Sequence, residues 1–128
     1  MKQKVIEVLM VEPHEVPRIV RLDNDLTALQ TAVSIGTSYR GLIEIIPLDD
    51  EVTILCNEEA KLIGLEPNRR LWSDVLCGVF YITGQDVEGN LCSLSPKKME
   101  YYKAFFAVPE IIPQEEVDDA LIAGFYVL

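Results

Sequence analysis

The chain has 128 residues, 49% hydrophobic and 25% charged, the composition of one globular domain long enough to bury about two thirds of the surface its unfolded form exposes, and not that of a disordered tail. A formal net charge of −10 argues against direct nucleic-acid binding, because Lys and Arg neutralising phosphate supply most non-specific affinity. The excess is uneven: up to Arg40 acids and bases balance, whereas past Lys103 there is no positive side chain and Glu110, Glu115, Glu116, Asp118 and Asp119 follow.

Val5 to Val11 reads as a strand covered on both faces and ended by Glu12-Pro13. Glu7 makes this opening too charged for a signal-peptide core, and no apolar run approaches the roughly eighteen residues that span a bilayer, so a cytoplasmic protein with no membrane contact is expected. Arg18 to Leu22 is a short β-branched strand, and Asn24 reads as the N-cap of a helix carrying Leu26, Leu29 and Val33 until Gly36. Leu42 to Leu48, with Pro47 marking an edge or an end, forms a hairpin with Val52 to Cys56 across Asp49-Asp50.

Asn57 to Ala60 is a turn, Lys61 to Leu65 a short strand or turn, and Glu66-Pro67-Asn68 a break. Val75 to Thr83 reads as a single strand, returned by the loop Gly84 to Asn90 into Leu91 to Leu94. Ser95-Pro96 is a helix start, with Met99, Tyr102 and Phe106 on one face and Pro109 and Pro113 beyond its end. A last helix from about Glu115 to Ala123 buries Val117 and Leu121 and is closed by Gly124. The apolar terminus Phe125, Tyr126, Val127 and Leu128 either adds a strand or meets a partner subunit, which makes a homodimer one expectation. The order of elements predicts an α+β fold, with a mostly antiparallel or mixed sheet of about five to seven strands and two or three helices. Residues 1–108 form the domain, and 109–128 an acidic extension that packs on it or on a partner subunit.

The run Asn57-Glu-Glu-Ala-Lys-Leu-Ile-Gly-Leu-Glu-Pro-Asn-Arg69, followed by Val75-Leu-Cys-Gly-Val-Phe-Tyr-Ile-Thr-Gly84, resembles a family of small bacterial and phage proteins known as domain of unknown function 3846. Asp23-Asn-Asp-Leu26 and Ile43-Glu-Ile-Ile-Pro-Leu-Asp-Asp50 extend the likeness over most of the first hundred residues. It implies a fold and a setting in phages and mobile elements, but no activity and no catalytic residue. In relatives it implies glycine, which a left-handed turn position favours, where this chain has Ala60, so a slightly different turn is expected here.

Chemistry is sparse. His14 is a lone loop histidine, Cys56, Cys77 and Cys92 sit in apolar runs as reduced thiols, and no metal or cofactor is expected. Glycine-rich phosphate loops are absent, and Asp49-Asp50-Glu51 and Glu58-Glu59 lack calcium-loop spacing. The candidate site is Arg69, Arg70 and Trp72, with Asn57, Glu58 and Glu59 nearby, since guanidinium forks and an aromatic plane can hold an anion. The plainer reading pairs these arginines with Glu58, Glu59 or Glu66 and puts Trp72 in the core. The sequence therefore favours a non-enzymatic interaction protein with an unknown protein partner. The alternatives are an acidic mimic of DNA that blocks a host enzyme, and a small ligand-binding domain or enzyme around Arg69 and Arg70.

Overall fold

β-branched and apolar side chains on both alternating sets need cover on both sides, and the strand Val5–Val11 obtains it at the centre of a sheet. A computed structural model describes residues 2–126; Met1, Val127, Leu128 and the side chains of 124–126 lie outside the described residues. In chain order the elements are β1 (Val5–Val11), β2 (Arg18–Asp23), α1 (Leu26–Ala32), β3 (Ile43–Asp49), β4 (Val52–Asn57), β5 (Pro67–Leu71), β6 (Asp74–Cys77), β7 (Phe80–Gln85), β8 (Leu91–Cys92), α2 (Pro96–Phe105) and α3 (Gln114–Tyr126). The fold is α+β.

Six strands form one sheet in the order β2-β1-β7-β4-β3, with β8 also paired to β7, and every pairing is antiparallel. On one face Ile6, Val8 and Met10 pack with Leu29 and Val33 of α1 and with Leu55 and Tyr81. On the other, Leu9, Val11, Ile54, Phe80 and Ile82 pack against Met99, Tyr102 and Phe106 of α2. Ser95 starts α2 as expected, its hydroxyl accepting from the Lys98 N–H, with Pro96 in the first turn. β3 is an edge strand, and Pro47 sits beside a register shift between Pro47 and Asp49.

β5 and β6 form a separate hairpin, and here the sequence reading needs correction. Glu66-Pro67-Asn68 does not break the chain into a loop: Pro67 opens β5, a position that needs no ladder N–H. Val75 to Thr83 is two strands in two sheets, divided at Gly78, whose φ of +72° turns the chain out of one ladder and into the other. Of the two readings of Lys61 to Leu65 the turn holds, over residues 61–64, with Gly64 at φ +75° as its left-handed residue. Asp25, not Asn24, caps α1 by accepting from the Ala28 N–H, while buried Asn24 donates to the carbonyls of Gln3 and Leu91. α3 is not closed by Gly124; its backbone stays helical to Tyr126, so Phe125 and Tyr126 add no strand. Val127, Leu128 and the side chains of Phe125 and Tyr126 lie outside the described residues, and with them the expected apolar interface.

A Cβ on Gly78 would meet Leu65 Cδ1 at 2.8 Å in a backbone region that L-residues avoid. Gly78→Ala is expected to destabilise the fold by about 1–3 kcal/mol, read as a lower urea midpoint with an unchanged slope.

Candidate functional site

Successive residues of a strand point to opposite faces, and this alternation separates Arg69 from Arg70. Arg69 is paired in register with Leu76 and faces the main core, where it is 1% exposed. Its Nε and Nη2 donate to the Phe106 carbonyl at the C-cap of α2 at 3.2 and 3.1 Å, Nη2 also donates to Glu15 O at 2.6 Å, and Nη1 donates to Asn68 Oδ1 at 2.8 Å. Asn68, fully buried, donates in turn to the carbonyls of Val11 and Gly78. Burial lowers the Arg69 pKa from its ordinary value, and the Glu110 carboxylate works in the opposite direction. This guanidinium binds protein carbonyls.

Arg70 is in register with Val75 on the outer face and is held by two carboxylates. Its Nε and Nη2 donate to the two oxygens of Glu116 at 2.6 and 2.8 Å, and its Nη1 and backbone N–H to those of Glu110 at 2.9 and 3.0 Å. The forked contact raises the Arg70 pKa and holds Glu116 below its ordinary value of 4.5. Glu58, Glu59 and Glu66 do not take the arginines as the sequence suggested: Glu66 meets His14 at 3.0 Å, and the acids of Arg70 come from the C-terminal segment. Trp72 does not fill the core either. It is 71% exposed at the first central position of the two-residue β5–β6 turn, with φ +54°, where a glycine is favoured.

Asn57, Glu58 and Glu59 stand apart from the arginine pair. Buried Asn57 ends β4 and accepts from the Glu59 N–H at 2.8 Å, while Glu58 reaches the rim of a groove of about 610 Å³ between α1 and the β3–β4 hairpin. Leu29 and Leu55 form its buried floor; Leu26, Leu42 and Ile45 form its walls and are 66%, 56% and 53% exposed. The sequence reading missed this groove. It exists because α1, at seven residues, is only about 10 Å long and leaves part of the sheet face bare.

The family model described as domain of unknown function matches residues 6–107. The chain belongs to the domain of unknown function 3846 family. No curated protein and no solved structure matches it significantly. In this family member the match stops three residues short of Glu110, so both carboxylates on Arg70 lie outside it.

The remaining chemistry-bearing groups are committed to structure. Burial, with the Glu44 carboxylate, pushes the Cys56 thiol up to about 12, and burial pushes Cys77 up to about 11, so neither is a thiolate at neutral pH. Burial alone would raise the Asp49 carboxyl, but hydrogen bonds from the Glu51 N–H, Tyr102 and Lys98 hold it below its ordinary value. Lys98 Nζ and Tyr102 Oη lie 3.0 and 2.8 Å from Asp49 Oδ2, tying α2 to the β3–β4 turn. Among the described residues no group of three or more His, Cys, Asp or Glu is placed to hold a metal, and no helix is long and apolar enough to cross a membrane.

Two outcomes follow from the arginine geometry. Arg69→Ala orphans buried carbonyls and opens a void, and should cost about 2–4 kcal/mol in chemical denaturation. Arg70→Ala should change global stability less than Arg69→Ala does while accelerating amide exchange in α3. The docked α3 also depends on pH. Because the folded carboxyl of Glu116 lies below 4.5, its contribution is complete above that pH and is lost as pH falls through the depressed folded value. Trp72 emission should be flat from neutrality to about pH 5 and change below about 4.5, ahead of global unfolding.

Proposed function

We propose that this chain is a cytoplasmic, non-enzymatic protein-interaction domain that receives a short apolar segment, flanked by basic residues, in the groove between α1 and the β3–β4 hairpin. The observation that carries this reading is the set of side chains Leu26, Leu42 and Ile45, each more than half exposed around a buried apolar floor. Scattered exposed leucines are ordinary, but a contiguous concave set with a polar rim is the usual form of a binding site. Asp25 and Glu58 outnumber Lys2 on that rim, and in a protein of net charge −10 this balance favours Lys and Arg beside the apolar anchor. Pro47 and the adjacent register shift blunt part of the β3 edge, which favours recognition by side chains over addition of a full strand.

The high pKa values of the buried thiols support a binding role over nucleophilic chemistry. The DNA-mimic alternative is weakened by the ion pairs of Glu12, Asp49, Glu66, Asp74, Glu110 and Glu116, which take those carboxylates out of a phosphate-like array. A role in a phage or mobile element rests on the family likeness described above.

Leu42→Asp, outside any strand, should shift global stability by no more than about 0.5 kcal/mol, and Ile45→Asp, within β3, by about 1 kcal/mol. A displayed peptide library panned against the folded chain should yield apolar cores with Lys or Arg flanks, and either substitution should abolish their binding. Enriched peptides without apolar anchors, or binding indifferent to both substitutions, would remove this reading.

A further inference from the structure

We propose that the Arg70 face of the β5–β6 hairpin is a second docking surface, one that reads carboxylates, that α3 and the non-helical residues leading into it occupy it as a built-in ligand, and that an acidic amphipathic helix of a partner protein, with a non-helical acidic lead before it, takes their place. The occupant already present shows the chemistry. Glu116 meets the guanidinium through both oxygens, Glu110 adds a third side-chain contact and takes the Arg70 N–H, and Ile112 and Val117 pack between them on Ala60, Val75 and Cys77. Two carboxylates and two apolar side chains thus engage one cation and one apolar patch.

Three further observations separate this face from an ordinary structural contact. The hairpin does not depend on α3 for its position, because Leu71 and Leu76 are buried in the main core and Arg69 is bound to α2 and the β1–β2 loop. The family match ends at residue 107, before the first of the two glutamates, so the Arg70 face belongs to the family region while its occupant does not. Trp72, in a backbone region unfavourable to a bulky residue, leaves its ring largely in solvent beside Arg70, Glu116, Asp119 and Ala120 in a cleft of about 280 Å³. A strained, exposed aromatic beside a forked cation is a feature of binding surfaces. Between α2 and α3 the connection carries Pro109 and Pro113 and exposes Val108 and Ile111, so release of α3 uncovers only the small cluster of Ile112 and Val117 on Ala60, Val75 and Cys77 and leaves the main core closed.

A tethered occupant competes at an effective concentration on the order of millimolar, so a partner helix binds the intact chain weakly and a chain with a released α3 strongly. The test uses the full-length protein and a Trp-free peptide with a non-helical lead and a helix, which keeps only Pro113 and the glutamates and apolar side chains at the spacing of Glu110, Ile112, Glu116 and Val117, with all other positions changed. Trp72, the sole tryptophan, reports on the cleft. In Glu110→Gln/Glu116→Gln the emission of Trp72 should move toward that of free indole, and the peptide should restore it with an affinity at least about tenfold above wild type; adding Arg70→Ala should abolish binding. Glu116→Gln alone gives the same readout in smaller degree and serves if the double variant does not fold. Unchanged emission in the glutamine variants, binding that survives Arg70→Ala, or binding confined to the native 109–126 sequence would each overturn the proposal. A concentration-dependent wild-type dimer dissolved by Arg70→Ala would assign the face to a second copy's α3 and overturn the partner assignment.

Discussion

A buried guanidinium bonded to carbonyl and amide oxygens, with no carboxylate in ion-pair contact among the described residues, holds together three parts of this chain that are far apart in sequence. Arg69 joins the β1–β2 loop through Glu15, its own strand through Asn68, and the end of α2 through Phe106. An unpaired charge moved out of water costs several kcal/mol even after relaxation, so the arrangement is stable only because the donors find carbonyl or amide oxygens and the cation lies at the negative end of a helix. Asn68 extends the same network to Val11 and Gly78, which fixes the point where β6 leaves one sheet and β7 enters the other. The hairpin is therefore a clamped part of the fold even though it shares no ladder with the main sheet.

The clamp changes the meaning of the run from Asn57 to Trp72. Its polar residues resemble a solvated junction, but Asn57, Asn68 and Arg69 are among the most buried polar side chains in the protein, while Glu58, Glu66, Arg70 and Trp72 face outward. One step along a strand converts a structural cation into a surface cation. The same alternation puts Leu71 and Leu76 into the core and Val75 and Cys77 beneath α3, so a hairpin of modest size serves two interfaces at once.

Much of the fold was legible in the sequence where local rules and burial agree. β-branched runs gave the strands of the main sheet, Asp49-Asp50 the hairpin turn, and Ser95-Pro96 the start of α2. Reading failed where tertiary contacts override local preference. The apolar run Val75 to Thr83 has no polar interruption, and only the backbone of Gly78 shows that it serves two ladders. Proline and asparagine at 67 and 68 carry a turn signal, but a first-position proline and a fully bonded asparagine fit a short strand equally well. The groove was hidden because exposure of Leu42 and Ile45 depends on how far α1 reaches across the sheet, which no local pattern encodes. That the acids on Arg70 come from the C-terminal segment was equally out of reach, since forty residues or more separate the partners.

The two adjacent arginines also divide the molecule's response to ionic strength. Arg69 is bonded to neutral oxygens in a dry interior, where mobile ions do not penetrate, so the clamp is nearly indifferent to salt. Arg70 and its carboxylates are partly open to solvent, within reach of counterions whose screening length is about 8 Å at physiological salt. Concentrated salt therefore acts on the attachment of α3 and leaves the hairpin beneath it in place. A change in ionic environment can loosen the C-terminal segment of an otherwise intact domain.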